Sequence, residues 1–429
     1  MMRSSLASPE YHVGIAGVRV RATMAAVGML LISFALSLQF FYKIGEIDPF
    51  VVMSWTWDYS LGFVRRGLPG ELLDLLAGGA GNEYRNLVVL SSAMLAVLVL
   101  AYGLFVTSIL RHRPSALVLI VALAGALLEP AIPIFIRMFG RPEQLSFLLF
   151  LLACHAAVAC DRRLACAVLA AACSLAMFIH EGFLFFHFPT ALGVLAMRLD
   201  ADGGSPHPIR RFAVPLAAAV PILCFAAVEW LGSPSVPKPV WDAHWLFRTP
   251  YALHESGNSL AVHHRGLAGN IRYTLGNFWP LAAVLSVLII GAATVLARTL
   301  WSAIGRIAVP RAAALCFGSC YTPLLMFGIG VDYIRWSSFT ALNMLVASLC
   351  LLRLSPVPVL ESALTRICEH GLPRHALNGL AFLFLLLTPL ASNTGPTRLP
   401  EAFGCLYNPS GTGLTAPRHP ESCLRTVGR

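Results

Sequence analysis

Long apolar stretches separated by short polar segments run along the whole chain. Each stretch holds about twenty residues, the length that a helix needs to cross the hydrocarbon core of a bilayer. The pattern therefore predicts an all-α fold, a polytopic transmembrane helix bundle of about eleven spans. Almost no loop separates the sixth stretch from the fifth, so their separation into two spans is left open. The eleven stretches are 23–42, 87–110, 115–136, 143–160, 164–180, 183–198, 212–231, 278–297, 312–330, 336–352 and 376–391.

Composition supports a membrane protein and leaves no room for a soluble domain. Of the 429 residues, 57% are hydrophobic and 12% are charged, whereas soluble domains carry about 25% charged residues. The first stretch is not followed by an A-x-A cleavage site, so we interpret it as a retained helix. We expect an N-terminal segment at 1–22, the bundle at 23–391 and a polar tail at 392–429.

The distribution of charge predicts the orientation. With the N-terminus in the cytoplasm and alternating spans, the cytoplasmic segments hold 16 basic and 6 acidic residues, a net +10, out of totals of 31 and 21. The outer segments hold the remaining 15 of each and sum to zero. This asymmetry is what the positive-inside rule requires, and it places the C-terminal tail outside. The basic charge is thus a topology signal, and no motif indicates nucleic acid binding.

Cysteine and lysine usage add to this picture. Cys405 and Cys423 lie in the outer tail, where disulfides persist, and we expect them to pair. The chain has only two lysines, so most of its 31 basic residues are arginines. That bias favours a GC-rich genome, and we predict a multi-pass protein of a bacterial inner membrane.

The outer segments carry most of the candidate chemistry. Two outer loops are long, at 43–86 and 232–277, and three short outer turns are densely charged: "RMFGRPEQ", "IHEGF" and "VDYIRW". Charges at or below a membrane boundary are costly and usually face a cavity or a partner. Each cluster alone could be an ordinary helix end. Together, on one side only, they predict a shared site at the outer membrane–water face.

The first outer loop contains "WDYSLGFVRRGLPGELL", which combines an acid, Asp58, with Arg65 and Arg66. Its glycines permit close backbone approach, and its arginines can fork onto phosphate oxygens. Pro69 begins a short amphipathic helix that we expect to lie on the membrane surface. The alternative is that the two arginines contact anionic lipid headgroups.

The three short turns supply the remaining candidates. We predict that these residues bind the substrate or its phosphate: Arg137, Arg141, Glu143, His180, Glu181, Asp332 and Arg335. The alternatives are local. Glu143 suits the first turn of a helix, Asp332 and Arg335 can pair with each other, and His180 could be a packed histidine bonded to a backbone carbonyl. With an acid beside it, His180 could also transfer protons or hold a phosphate.

Loop 232–277 mixes aromatic residues with histidines and arginines. This composition suits sugar stacking and phosphate contact, and it equally suits an interfacial aromatic belt. We favour a lid or a platform for an acceptor.

The arrangement resembles the GT-C class of polytopic glycosyltransferases, which use polyprenyl-phosphate-linked sugar donors. The resemblance covers roughly residues 20–350 and rests on architecture: a long first outer loop with an acid and a surface helix, then charged outer helix ends. It implies that Asp58 is a general base and that Arg65, Arg66, Arg137 and Arg141 stabilise the phosphate. Members with a D-x-D or E-x-D acid pair differ from "WDYS", which has one acid. No cofactor is predicted, and no spacing supports a divalent metal.

Other functions compete with glycosyl transfer from such a donor to an envelope glycan or lipid acceptor. A polysaccharide polymerase or ligase acting on lipid-pyrophosphate intermediates needs the same outer arginines and a large late loop. A transporter or flippase of lipid-linked glycans would place polar residues near the midplane. A non-catalytic partner in envelope assembly is a further possibility.

Overall fold

A computed structural model describes the helical part of the chain. The predicted span 23–42, most of 376–391, most of loop 232–277 and the tail with Cys405 and Cys423 lie outside the described residues. The described residues are 54–77 without 56 and 61, 83–112, 116–201 without 129, 208–232, 267–276, 280–304, 310–328 and 332–354, with isolated positions at 51, 237, 239, 240, 330, 380, 381 and 383.

Every regular element in this part of the chain is a helix, which confirms the predicted all-α class; no strand occurs among the described residues. The elements are α1 (Gly67–Ala77), α2 (Glu83–His112), α3 (Ala116–Leu127), α4 (Pro133–Arg137), α5 (Glu143–Ala159), α6 (Arg162–Ile179), α7 (Phe183–Phe186), α8 (Phe188–Ala201), α9 (Pro208–Leu231), α10 (Leu267–Gly276), α11 (Pro280–Ile304), α12 (Pro310–Ser319), a 3₁₀ helix (Thr322–Gly328) and α13 (Tyr333–Leu354).

Four of these helices contain segments that are long and apolar enough, by length and composition, to cross a membrane. Each falls on a predicted apolar stretch. Shorter apolar segments occur in α3, α5 and α11. The count of eleven spans stays a prediction. The four long segments are Asn86–His112, Arg162–Ile179, Phe212–Leu231 and Tyr333–Leu354.

Three predicted stretches are not continuous helices. The stretch 115–136 breaks between α3 and α4, where Pro133 begins the new helix and has no N–H to continue the old one. The stretch 183–198 breaks at His187, between α7 and α8. The stretch 312–330 changes from α12 to the 3₁₀ helix. A turn separates α6 from α7 and α8, so the fifth and sixth stretches form separate helices; their separation into two spans stays a prediction.

The centre of the bundle is α13, which is buried along almost its whole length. It packs against α2, α3, α5, α8, α11, α12 and the 3₁₀ helix. Its hydroxyl groups are satisfied within the helix, because Ser337, Thr340 and Ser348 each donate to the carbonyl four residues earlier. This back-bonding lets a helix with several polar residues lie in an apolar interior.

Small residues allow close helix contacts in this core. A Cβ on Gly125 of α3 would lie 2.2 Å from the hydroxyl of Tyr102 and 2.8 Å from a methyl of Leu345. The Tyr102 hydroxyl donates to the carbonyl of Ala122 at 2.9 Å. Helices α2, α3 and α13 therefore meet at Gly125, as small residues at membrane helix interfaces permit.

Charged residues at helix ends lie at both ends of the bundle. At one end, the Arg353 side chain of α13 donates to the carbonyls of Val158 and Ser108, at 3.0 and 3.1 Å. Asp161 caps the start of α6 at the same end. We call this the Arg353 end. The opposite end, here the His180 end, contains the starts of α5 and α13 and the end of α6; which compartment it faces stays a prediction.

Candidate functional site

The His180 end gathers charged residues from four separate parts of the chain. They come from the loop before α1, the start of α5, the turn between α6 and α7, and the start of α13. We call this group the arginine–acid cluster, and its members are Arg66, Arg141, Glu143, His180, Glu181, Asp332 and Arg335.

The loop that carries Arg66 is shaped by its own acids. Asp58, 2% exposed, accepts hydrogen bonds from the backbone N–H and the hydroxyl of Ser60. Glu71 of α1 accepts the backbone N–H of Tyr59 at 2.8 Å. Burial and then the charge of Glu71 raise the pKa of Tyr59 to about 12. A Cβ on Gly70 would lie 2.1 Å from the carbonyl oxygen of Trp57, so α1 sits directly against the loop backbone.

The same loop is docked on the bundle at two further places. The indole N–H of Trp55 donates to the carbonyl of Gly140, in the turn before α5. The backbone N–H of Arg65 donates to the carbonyl of Gly232, just past the end of α9, at 3.0 Å. The Arg65 side chain pairs with Glu229 of α9 at 3.4 Å. The loop thereby bridges the entry to α5 and the exit from α9.

Arg66 forms a forked ion pair with Glu181. Its Nε lies 3.1 and 2.9 Å from the two carboxylate oxygens, and its Nη2 also donates to the carboxylate. Both side chains are 16% exposed. Burial alone lowers the pKa of Arg66, but Glu181, together with Glu143 and Glu229, more than offsets burial and raises it. Burial likewise raises the pKa of Glu181, yet Arg66 and then His180 hold it well below its usual range. Both groups are therefore charged at neutral pH.

Glu143 is the shared partner of the residues in the second half of the cluster, which contains Arg141, His180 and Arg335. Three nitrogen groups surround its Oε1: Arg335 Nη1 at 2.7 Å, His180 Nε2 at 3.8 Å and Arg141 Nη1 at 4.0 Å. Arg335 also pairs with Asp332 at 2.7 Å. The local alternatives are thus partly right, because Glu143 does begin a helix and Asp332 does pair with Arg335. Arg335 nevertheless joins α13 to α5 through Glu143.

His180 lies between the two halves of the cluster and is neutral. Its Nδ1 accepts the backbone N–H of Gly182 at 3.0 Å, so the proton of the neutral ring is on Nε2. Burial and then the charge of Arg66 lower the pKa of His180 to about 4, against the opposite effects of Glu181 and Glu143. The alternative of a packed histidine bonded to a backbone carbonyl is wrong in its bonding, because Nδ1 accepts a backbone N–H and does not donate to a carbonyl. The ring presents an N–H donor toward Glu143.

The formal charges of the cluster sum to zero, with three arginines, three acids and a neutral histidine. Each guanidinium has a carboxylate within 4.0 Å. Such pairs are strong but exchangeable, because a phosphate presents the same kind of oxygen edge to the guanidinium fork. An anionic group can enter by taking the place of an acid.

Asp58 and Arg65 are not members of the cluster. Asp58 uses an oxygen to shape its own loop, and its role as a base stays a prediction. Arg65 pairs with Glu229 beside the cluster. Arg137 ends α4, and its side chain lies outside the described residues. Within the described residues no group of three or more His, Cys, Asp or Glu side chains could hold a metal ion.

Glu229 was missed by the sequence analysis, although a signal was present. It lies in "VEWL", within the last turn of a predicted apolar span. An acid at that depth is costly without a partner, and Arg65 is the partner here. Glu71, in the surface helix, also orders the loop, because it accepts the backbone N–H of Tyr59.

A family model described as "Uncharacterised membrane protein Rv1490" matches residues 23–267, more than half of the chain. No curated protein and no solved structure matches. The matched region contains the loop with Arg66, the start of α5 and the turn with His180 and Glu181. Helix α13, which supplies Asp332 and Arg335, lies beyond it.

Proposed function

The chain belongs to the family described as "Uncharacterised membrane protein Rv1490", and from the geometry of the arginine–acid cluster we propose that it is a membrane glycosyltransferase. The proposed donor is a sugar on a polyprenyl phosphate, and the acceptor is an envelope glycan or lipid. The proposed topology keeps eleven spans, a cytoplasmic N-terminus and the His180 end facing outward in a bacterial inner membrane. The arginine–acid cluster is the proposed site for the donor phosphate.

One observation carries the proposal: three guanidinium groups from three separate elements lie in one cluster, against the carboxylates of Glu181 and Glu143. Arg66 comes from a loop, Arg141 from the turn before α5, and Arg335 from α13, and the latter two meet at Glu143. Arginines surrounding a developing phosphate charge are the recurring means of stabilising it. The cluster lies at the end of apolar helices, where a lipid carrier would present its phosphate.

The reaction balances without a nucleotide or an added cofactor. An acceptor hydroxyl attacks the anomeric carbon, the bond from that carbon to the phosphate oxygen breaks, and the phosphate keeps the bonding electrons. The hydroxyl proton passes to a carboxylate, for which we propose Asp58. Asp58 lies in the same docked loop as Arg66, so base and phosphate ligand would be positioned by one segment. The arginines stabilise the charge that develops on the leaving phosphate.

Complementation tests this proposal. Cells that lack the chain receive the wild type, Asp58→Asn or Arg66→Gln, and mass spectrometry compares their lipid-linked sugars and envelope glycans. Arg163→Gln is the control, because Arg163 is exposed at the Arg353 end. We expect both site variants to accumulate the polyprenyl-phosphate-linked sugar and to lose one envelope sugar, whereas the control matches the wild type.

Immunoblots of the membrane fraction establish that each variant inserts. Unchanged glycans in both site variants at normal protein levels would rule out the proposed function. Unchanged glycans in Asp58→Asn alone would remove only the assignment of the base.

A further inference from the structure

The ion pair between Arg66 and Glu181 raises a question that the proposed function leaves open, because an arginine meant for a phosphate already holds a carboxylate. We propose that Glu181 competes with the anionic group of the substrate for Arg66. Binding of the anion transfers Arg66 from Glu181 to the substrate and releases the loop 57–66 from the turn between α6 and α7. This inference rests on the proposed function, since it concerns the anion of that reaction.

The geometry of the pair suits such an exchange. Glu181 presents both carboxylate oxygens to the Nε of Arg66, at 3.1 and 2.9 Å. A phosphate can offer two oxygens to the same guanidinium edge. The carboxylate therefore occupies the position from which a phosphate would accept the same hydrogen bonds.

The loop conformation depends on this pair. Arg66 has a φ of 60°, and it is the one non-glycine residue with a positive φ among those that the structure describes. Such a conformation persists only where surrounding contacts impose it. The forked contact with Glu181 is the strongest side-chain contact described for Arg66. Loss of that contact removes one of the restraints that keep Arg66 in the strained conformation.

The Arg335–Glu143 and Arg66–Glu181 pairs are held by different kinds of backbone. Arg335 and Glu143 lie on the first turns of α13 and α5, so helical backbone fixes both partners. Arg66 precedes α1 in a loop, and Glu181 lies in the turn between α6 and α7. Exchange at Arg66 needs no helix to move. The loop is therefore the part that responds, while α5 and α13 form the fixed wall of the site.

The acids near Arg66 favour displacement of Glu181 by the anion over addition of the anion beside it. Glu229 and Glu143 both add negative charge near Arg66, and His180 Nδ1 lies 3.8 Å from the Oε2 of Glu181. That nitrogen already accepts the Gly182 N–H and cannot donate to Glu181, so the displaced carboxylate depends on solvent or on proton uptake. The second contact of the loop, between Arg65 and Glu229, is longer at 3.4 Å and more exposed. It offers a matched control on the adjacent arginine.

Binding measurements on the full-length chain in nanodiscs test the sign of the effect. The probes are a polyprenyl monophosphate, inorganic phosphate, and phosphatidylglycerol as a lipid with an anionic headgroup. We expect Glu181→Gln to bind the polyprenyl phosphate about tenfold more tightly than the wild type, because the competitor loses its charge. Arg66→Gln should bind about tenfold more weakly, and Glu229→Gln should tighten binding by less than Glu181→Gln, because Glu229 pairs with Arg65 and not with Arg66.

The sign separates a competitor from a residue that positions Arg66. If Glu181→Gln binds as weakly as Arg66→Gln, then Glu181 positions the arginine and the exchange is wrong. Affinity equal to that of the wild type overturns it as well. If neither the wild type nor any variant prefers polyprenyl phosphate to phosphatidylglycerol, the lipid donor of the proposed function fails. Tighter binding of inorganic phosphate alone by Glu181→Gln supports the exchange and overturns that donor.

Hydrogen exchange of the unmodified protein gives a second measurement that requires no variant to fold. The backbone N–H of Arg65 is bonded to Gly232, and a loop that has lost its contact with Glu181 should open this bond more often. We expect peptides covering 57–66 to exchange faster when polyprenyl phosphate binds, while peptides from α13 are unchanged. Unchanged or slower exchange in the loop would refute the release.

Discussion

Acidification should destabilise the folded protein through His180. The folded chain holds this ring with a pKa of about 4, whereas an unfolded chain gives histidine its ordinary value near 6.5. Glu143, Glu181, Arg66 and Arg335 face the ring, and burial together with Arg66 outweighs the two acids. Between these pH values the unfolded state binds a proton that the folded state does not. Stability is therefore complete above about pH 6.5 and falls as pH decreases toward 4.

The size of the loss follows from the two pKa values. Each tenfold change in the protonation equilibrium corresponds to about 1.4 kcal/mol. Full acidification from neutrality to about pH 4 would therefore cost the fold about 3 kcal/mol through His180 alone, as an upper value for this one ring. Since whole domains are stable by only about 5–15 kcal/mol, a loss of this size is measurable.

The assay is the free energy of unfolding in mixed detergent micelles at about pH 7.5 and about pH 5. His180→Gln keeps a polar N–H donor near the position of Nε2 but cannot titrate. Between the two pH values, we expect the wild type to lose about 2 kcal/mol more stability than His180→Gln. His112→Gln, at an exposed site at the end of α2, should keep the wild-type difference. The reasoning is refuted if His180→Gln and the wild type lose equal stability.

Two further substitutions test the packing on which the site depends. Gly125→Ala should destabilise the bundle by about 1–3 kcal/mol in the same unfolding assay, because α2 and α13 leave no space for a Cβ. Gly291→Ala is the control and should be neutral, since nothing lies within 4 Å of a Cβ at that position. Equal effects of the two substitutions would contradict the packing argument. Gly70→Ala would drive a methyl group into the carbonyl of Trp57, which cannot rotate away. We expect faster hydrogen exchange in the loop 57–66 with little change in α13, and an unaltered loop would show that α1 does not order it.

Much of this arrangement could be predicted from the order of apolar and charged residues. Apolar stretches of spanning length predict helices, and charges excluded from their interiors must collect at helix ends. The proximity of Glu143, His180 and Arg335 follows from that rule, because the start of α5, the end of α6 and the start of α13 alternate to the same end. The pattern alone thus brought together residues that are far apart in the chain.

The pairing within the cluster could not be predicted in the same way. Hydropathy fixes the depth of a residue along a helix but not the direction in which its side chain points. The partner of Arg66 is 115 residues away at Glu181, and their contact depends on a left-handed residue that nothing in "FVRRG" singles out. The break at His187 was missed for a related reason. Its neighbours are apolar and aromatic, so the sequence reads as an uninterrupted stretch.

The arginines at the two ends of the bundle have different kinds of hydrogen-bond partner. Arg353 binds the carbonyls of Val158 and Ser108, which are fixed parts of helix ends and cannot leave. Arg66 binds a carboxylate in a turn, and Arg335 binds carboxylates at helix starts. Arginines bound to carbonyls stabilise the structure, whereas arginines bound to carboxylates can exchange one anion for another. This difference in chemistry favours the His180 end, rather than the Arg353 end, as the place where an anionic substrate binds.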